Sequence, residues 1–179
     1  MMNFRPFSPS EIDTIKQLYT DTFSDSEGEK EGIAVGQLSY ELLTTTPAED
    51  LHCFVAENNE QLLGAVIFSR MSVAAGQCVY LLSPMAVSTQ SQKQGVGQKL
   101  IRFGLNALKE SGVEAVVTYG DPNYYSKIGF EPVSEQVIKA PFSLSFPHGW
   151  LAQPLAGESL PLISETPTCV EALNNAAYW

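Results

Sequence analysis

The chain has only two histidines, His52 and His148, and three cysteines, Cys53, Cys78 and Cys169. The histidines lack metal-motif spacing, and the cysteines are odd in number, far apart and without a C-x-x-C pair. A zinc site and a disulfide framework are therefore both unexpected, no metal is expected, and the thiols read as buried side chains. No apolar run reaches the roughly 18 residues that span a bilayer. The N-terminus, Met1-Met2-Asn3-Phe4-Arg5-Pro6, lacks the apolar core of a signal peptide, so a cytosolic location is expected. G-x-S-x-G is absent and neither histidine has a recognisable partner, which argues against a hydrolase with a Ser or Cys nucleophile.

Acidic residues are missing from one long stretch. Residues 61 to 109 contain no Asp or Glu and five bases, against 12 acids and three bases in residues 1 to 60 and eight acids and two bases in residues 110 to 179. The net charge of −10 disfavours nucleic acid and anionic membrane as partners, because both require a basic surface. A polyanion bound to the middle stretch would instead meet Lys93, Lys99, Arg102 and Lys109.

The 179 residues, 44% hydrophobic and 17% charged, suit one domain with a substantial core: residues 1 to 140 as its regular part, and 141 to 179 as an irregular extension punctuated by five prolines. Asn3 to Phe7 reads as an edge strand. Ser8-Pro9-Ser10-Glu11 is a capping-box start for a helix whose apolar stripe is Ile12, Ile15, Leu18, Tyr19 and Phe23. The acidic run Asp25 to Glu31 reads as a loop, either a solvated surface or the border of an entrance that favours cationic substrates. A second helix carries Val35, Leu38, Leu42 and Leu43. His52 to Glu57 and Leu62 to Ser69 read as an antiparallel hairpin turning at Asn58-Asn59-Glu60-Gln61. Gln77 to Val87 is a strand interrupted by Pro84, which cannot donate to a ladder, so pairing should break there.

Gln92-Lys93-Gln94-Gly95-Val96-Gly97-Gln98-Lys99-Leu100 follows that strand and opens a helix with Leu100, Ile101, Leu105 and Leu108 on one face, stopped by Gly112. Gly95 and Gly97 remove side chains where loop becomes helix, so backbone N–H groups can close on a phosphate-bearing ligand. G-x-x-x-x-G-K-[ST] does not occur, and G-x-G-x-x-G fails at Leu100, which leaves Q-x-x-G-x-G. Val113 to Tyr119 is a buried strand, so strand, glycine turn, helix and strand form a βαβ unit with parallel flanking strands in a mixed sheet. Asp121 to Ile128 carries a helical turn or two capped by Gly129. Glu131 to Ala140 reads as a strand, and Val170 to Ala177 as a short helix.

Gln92-x-x-Gly95-x-Gly97 resembles the acyl-CoA pyrophosphate loop of the GCN5-related N-acetyltransferases, and Tyr125-Ser126-Lys127-Ile128-Gly129-Phe130 is similar to that family's Y-x-x-x-G-F segment. Gly120 to Tyr125 with Gly129 to Pro132 resembles in particular the family's YhbS-like subgroup. The resemblance implies an α/β fold with a central splayed mixed sheet flanked by helices. It further implies acetyl-CoA as cosubstrate and a small-molecule or peptide amine as acceptor, in a monomer or homodimer. On the matching positions, Met85, Ala86 and Val87 would meet the pantetheine arm, and Gln92, Lys93, Gln94, Gly95, Val96, Gly97 and Gln98 the diphosphate. The N–H of Val87 would stabilise the carbonyl oxygen. Tyr125, with Tyr124 as its neighbouring candidate, would protonate the leaving thiolate. No general base stands out among Glu57, Ser83 and Asp121, and a non-catalytic acyl-CoA-binding module is the alternative. The tail shapes either the acceptor cleft or a dimer interface.

Overall fold

The computed structural model describes residues 1 to 179. Seven strands form one mixed sheet: β1 (Met2–Pro6), β2 (Leu51–Asn58), β3 (Gln61–Met71), β4 (Val79–Val87), β5 (Ala115–Tyr119), β6 (Glu131–Pro132) and β7 (Trp150–Pro154), in the order β1-β2-β3-β4-β5-β7-β6. The helices are α1 (Ile12–Glu27), α2 (Glu29–Thr45), α3 (Val96–Glu110) and the single turn α4 (Pro122–Tyr125). None is long and apolar enough to cross a membrane. The chain divides into two compact units, Met1–Phe68 with Pro84–Gly104, and Ser69–Ser83 with Leu105–Trp179.

In the first unit, β1 pairs antiparallel with β2 in the register Phe4↔Ala56. Asn59 and Glu60 join β2 to β3 with φ of 50° and 65°, the paired positive values of a two-residue turn that connects antiparallel strands. The carboxylate of Glu11 accepts the Ser8 N–H at 2.8 Å, closing the capping box, although the segment Pro9–Glu11 is a 3-10 turn before α1 begins. The expected loop at 25 to 31 is instead almost wholly helical. α1 runs to Glu27 and α2 begins at Glu29, with only Gly28, at φ 100°, between them. The acids that suggest a loop favour a helix start, because Glu29 and Glu31 lie in the first turn of α2.

In the second unit, β4 and β5 run parallel, Val79↔Ala115 to Leu82↔Thr118. That pairing ends two residues before Pro84, as the proline predicts. The strand expected at Glu131 to Ala140 is reduced to Glu131–Pro132. The tail, expected to be largely irregular with strand fragments, supplies one strand, β7, which pairs antiparallel with β5 (Thr118↔Leu151) and with β6. Its short apolar run, Trp150 to Ala152, is buried on both faces and so shows no alternation in sequence. The helix expected near the end is two 3-10 turns, Glu171–Leu173 and Ala176–Tyr178. They deliver Trp179, 5% exposed, onto Tyr119 and Trp150 at ring-centroid distances of 6.2 and 6.0 Å.

Candidate active site

Two segments carry the candidate residues, one in each unit. In the first, β4 ends at Val87 and a 3-10 turn, Thr89–Ser91, leads into the glycine turn. Met85 is half-buried, while Ala86 and Val87 are buried. The Tyr19 hydroxyl donates to the carbonyl of Pro84 at 2.7 Å, supplying a partner where the proline interrupts the strand. The Gln92 side chain reaches back, its Nε2 donating to the Val87 carbonyl at 3.0 Å. The sequence marks Gln92 only as a loop donor; as a latch, it fixes where the turn leaves the strand.

Lys93 and Gly95 adopt φ of 63° and 79°. Space around a Cβ on Gly95 is open, so it is this dihedral that demands glycine there. The α3 ladder begins with the Lys99 N–H, which donates to the Gly95 carbonyl at 3.1 Å. The N–H groups of Val96, Gly97 and Gln98 therefore have no intrahelical acceptor and point out of the helix start. Gln94 is exposed, as are Lys93, Lys99, Arg102 and Lys109. Leu100, Ile101, Leu105 and Leu108 are all buried and hold the helix in place. Such a turn can bind an anionic group by backbone donors, a helix dipole and exposed cations.

In the second unit, Tyr125 closes α4. Asp121 caps this turn by accepting the Asn123 N–H at 2.9 Å, and Pro122 occupies the first helical position. The Tyr125 ring is held on three sides. It meets Phe130 edge-on at 5.6 Å and Tyr124 at 5.1 Å, and a Cβ on Gly120 would come within 2.8 Å of it. Its hydroxyl is bonded to that of buried Thr118, whose own proton goes to the Leu82 carbonyl at 3.0 Å. Burial pushes the Tyr125 pKa up to about 12, and the charges of Tyr124 and Asp121 add to the rise. The tail braces this segment: Gln153 Nε2 of β7 donates to the Ile128 carbonyl at 3.0 Å, beside the Gly129 cap.

The carboxylates considered as bases have other partners. Glu57 and Glu11 both pair with Arg5, at 2.8 and 2.7 Å, and the guanidinium holds both below the ordinary glutamate value, so Glu57 is a poor proton acceptor. Asp121 is a helix cap. Cys53 is buried, which raises its thiol pKa far above that of a nucleophile.

Residues 49–132 of the chain match the acetyltransferase (GNAT) domain. Over those residues the chain is similar to GNAT-family acetyltransferases. Among its relatives is the uncharacterized N-acetyltransferase YhbS of Escherichia coli (strain K12), 40% identical over 79 residues, which make up 43% of this chain and 47% of the relative. The chain thus spans about half the length of that curated relative. The uncharacterized N-acetyltransferase YjhQ of the same strain is 29% identical over 159 residues, 86% of this chain and 84% of YjhQ. The crystal structure of YhbS from Escherichia coli in complex with CoA superposes with a TM-score of 0.80 at 27% identity, covering 97% of this chain and 92% of that one.

Proposed function

We propose that the protein, acting as a single domain, transfers an acetyl group from acetyl-CoA to a primary amine. The observation that carries this reading is the glycine turn. It is latched to β4 by Gln92, bent by left-handed residues at 93 and 95, and presents three helix-start donors inside the stretch that matches the GNAT domain. The relative with a TM-score of 0.80 was crystallised with CoA. In this reading the N–H groups of Gln92 to Gln98 hold the diphosphate, with Lys93 beside it, and Met85, Ala86 and Val87 face the pantetheine arm. Tyr124 adds a contact through its ring.

The amine nitrogen attacks the thioester carbonyl, a C–N bond forms and the C–S bond breaks. The N–H of Val87 stabilises the charge on the oxygen. Tyr125 gives its proton to the sulfur and takes one back from the nitrogen through water, so the site ends as it began. A phenol held near 12 suits this exchange. It stays protonated until a thiolate develops, and its tyrosinate then readily recovers a proton.

Binding and chemistry separate cleanly. Acetyl-CoA raises the melting temperature of the native protein and of Tyr125→Phe alike, by mass action. Free CoA is released with an amine only by the native protein at full rate. No thermal shift at millimolar acetyl-CoA overturns the reading. A shift without turnover on any amine favours a non-catalytic acyl-CoA-binding module instead.

A further inference from the structure

A cavity of about 530 Å³ opens in the second unit beside the segment that carries Tyr125. Tyr119, Pro122 and Phe146 supply its apolar wall, Ser145 and Asn123 its uncharged polar groups, and Asp121 the one charged side chain of its lining. Its size is that of a small-molecule pocket. Phe146 is 52% exposed. The Tyr119 hydroxyl accepts its backbone N–H and also pairs with Ser145 Oγ at 3.1 Å; the Gly149 N–H donates to its carbonyl at 2.9 Å. Tyr119 is itself stacked on Trp179. The aromatic surface is thus fixed in place and left open to solvent, in a cavity that Asp121 also lines.

We propose that this cavity is the acceptor subsite and takes a primary monoamine bearing an aromatic or similarly flat apolar group, the ammonium at Asp121 and the ring against Phe146 and Pro122. This deepens the acetyltransferase reading and rests on it. Asp121 is free to do so: its cap uses one oxygen lone pair, and a carboxylate has several. Its charge already acts on the Tyr125 phenol, so a cation paired there lies within electrostatic reach of the proton donor.

A second cavity, of about 880 Å³ in the first unit, favours a different ligand. It is lined by Asp21, Asp25 and Glu60 with no aromatic residue, which would suit a polyamine. Asp25 there already accepts from Thr89 Oγ1 at 2.6 Å, and no residue of the Tyr125 segment reaches it. The two cavities make opposite predictions about acceptor preference.

The test compares phenethylamine, butylamine and spermidine, at saturating acetyl-CoA, by free-CoA release. Calorimetric titration of phenethylamine into the CoA-saturated protein supplies a readout that does not need turnover. Phenethylamine is expected to show a KM about tenfold below that for butylamine, the worth of one ring in an apolar pocket. Asp121→Asn, which keeps a capping oxygen, raises the phenethylamine KM about tenfold and leaves the acetyl-CoA KM unchanged. Phe146→Ala raises the phenethylamine KM but not the butylamine KM, and Phe146→Leu recovers part of the loss. A preference for spermidine, or a phenethylamine affinity indifferent to both substitutions, overturns the proposal. Absence of turnover with retained, Asp121-dependent binding of phenethylamine upholds the subsite and overturns only the catalytic reading.

Discussion

The surroundings of Tyr125 set its phenol apart from that of an ordinary tyrosine. The phenol is packed by Phe130 and Tyr124, tied to Thr118 and raised to about 12. Its sign fixes the pH behaviour: a group that must be protonated to act loses activity only as pH rises through its pKa. The rate with acetyl-CoA at a fixed fraction of free amine is therefore flat from about pH 8 to 10, where an ordinary tyrosine would already titrate. An alkaline limb with an apparent pKa near 10 would contradict this environment. Tyr125→Phe lowers kcat about 100-fold, the usual worth of a positioned acid, with the acetyl-CoA dissociation constant unchanged. Steady-state rates beside a calorimetric titration check both halves. The tyrosine itself is legible in the sequence from its spacing to Gly129 and Phe130. Thr118 is not, because a buried hydroxyl in an apolar strand looks like any β-branched core residue until its partner is known.

Among elements, the glycine turn and β4 are the most legible. Pro84 announces the end of pairing, and β5 is indeed left after Leu82↔Thr118. The apolar face of α3 is buried at every expected position. These features depend on local chemistry: a proline lacks a donor, and a helix repeats every 3.6 residues. Gly95→Glu forces a bulky side chain into a left-handed turn and, in the proposed reading, sets a carboxylate where the diphosphate would approach. Its expected result is loss of the acetyl-CoA thermal shift in a protein that still melts cooperatively. The acidic run and the tail differ from expectation because non-local contacts decide them. Composition marks 25 to 31 as loop, yet capping and packing carry helices through it. β7 is a strand because β5 and β6 offer it two edges, and Trp179 is core because Tyr119 and Trp150 receive it. Trp179→Ala costs about 3–5 kcal/mol. At about 2–4 °C per kcal/mol for a chain of this size, calorimetry resolves the loss readily.

Across the whole molecule, charge is unevenly distributed. A net charge of −10 coexists with a middle stretch free of acids, and its bases Lys93, Lys99, Arg102 and Lys109 are exposed along or near the glycine turn and α3. Elsewhere one strongly coupled ionic group stands out, Arg5 between Glu11 and Glu57. Both carboxylates titrate below the ordinary value of 4.5. Their contribution is present above that value and lost as pH falls through the folded values. Between about pH 5 and pH 3 the melting temperature of the native protein falls more steeply than that of Arg5→Gln. Equal slopes would show that the network adds nothing.

The central claim is acetyl transfer from acetyl-CoA to an amine, and the most direct measurement is mass spectrometry of acceptor and cofactor after incubation of the native protein with acetyl-CoA and a panel of primary amines. The expected result is one acetylated amine, about 42 Da heavier by the replacement of H with CH3CO, for each CoA released, with Tyr125→Phe about 100-fold slower. Release of CoA without an acetylated amine, or no release from a protein whose melting temperature acetyl-CoA does raise, would contradict it.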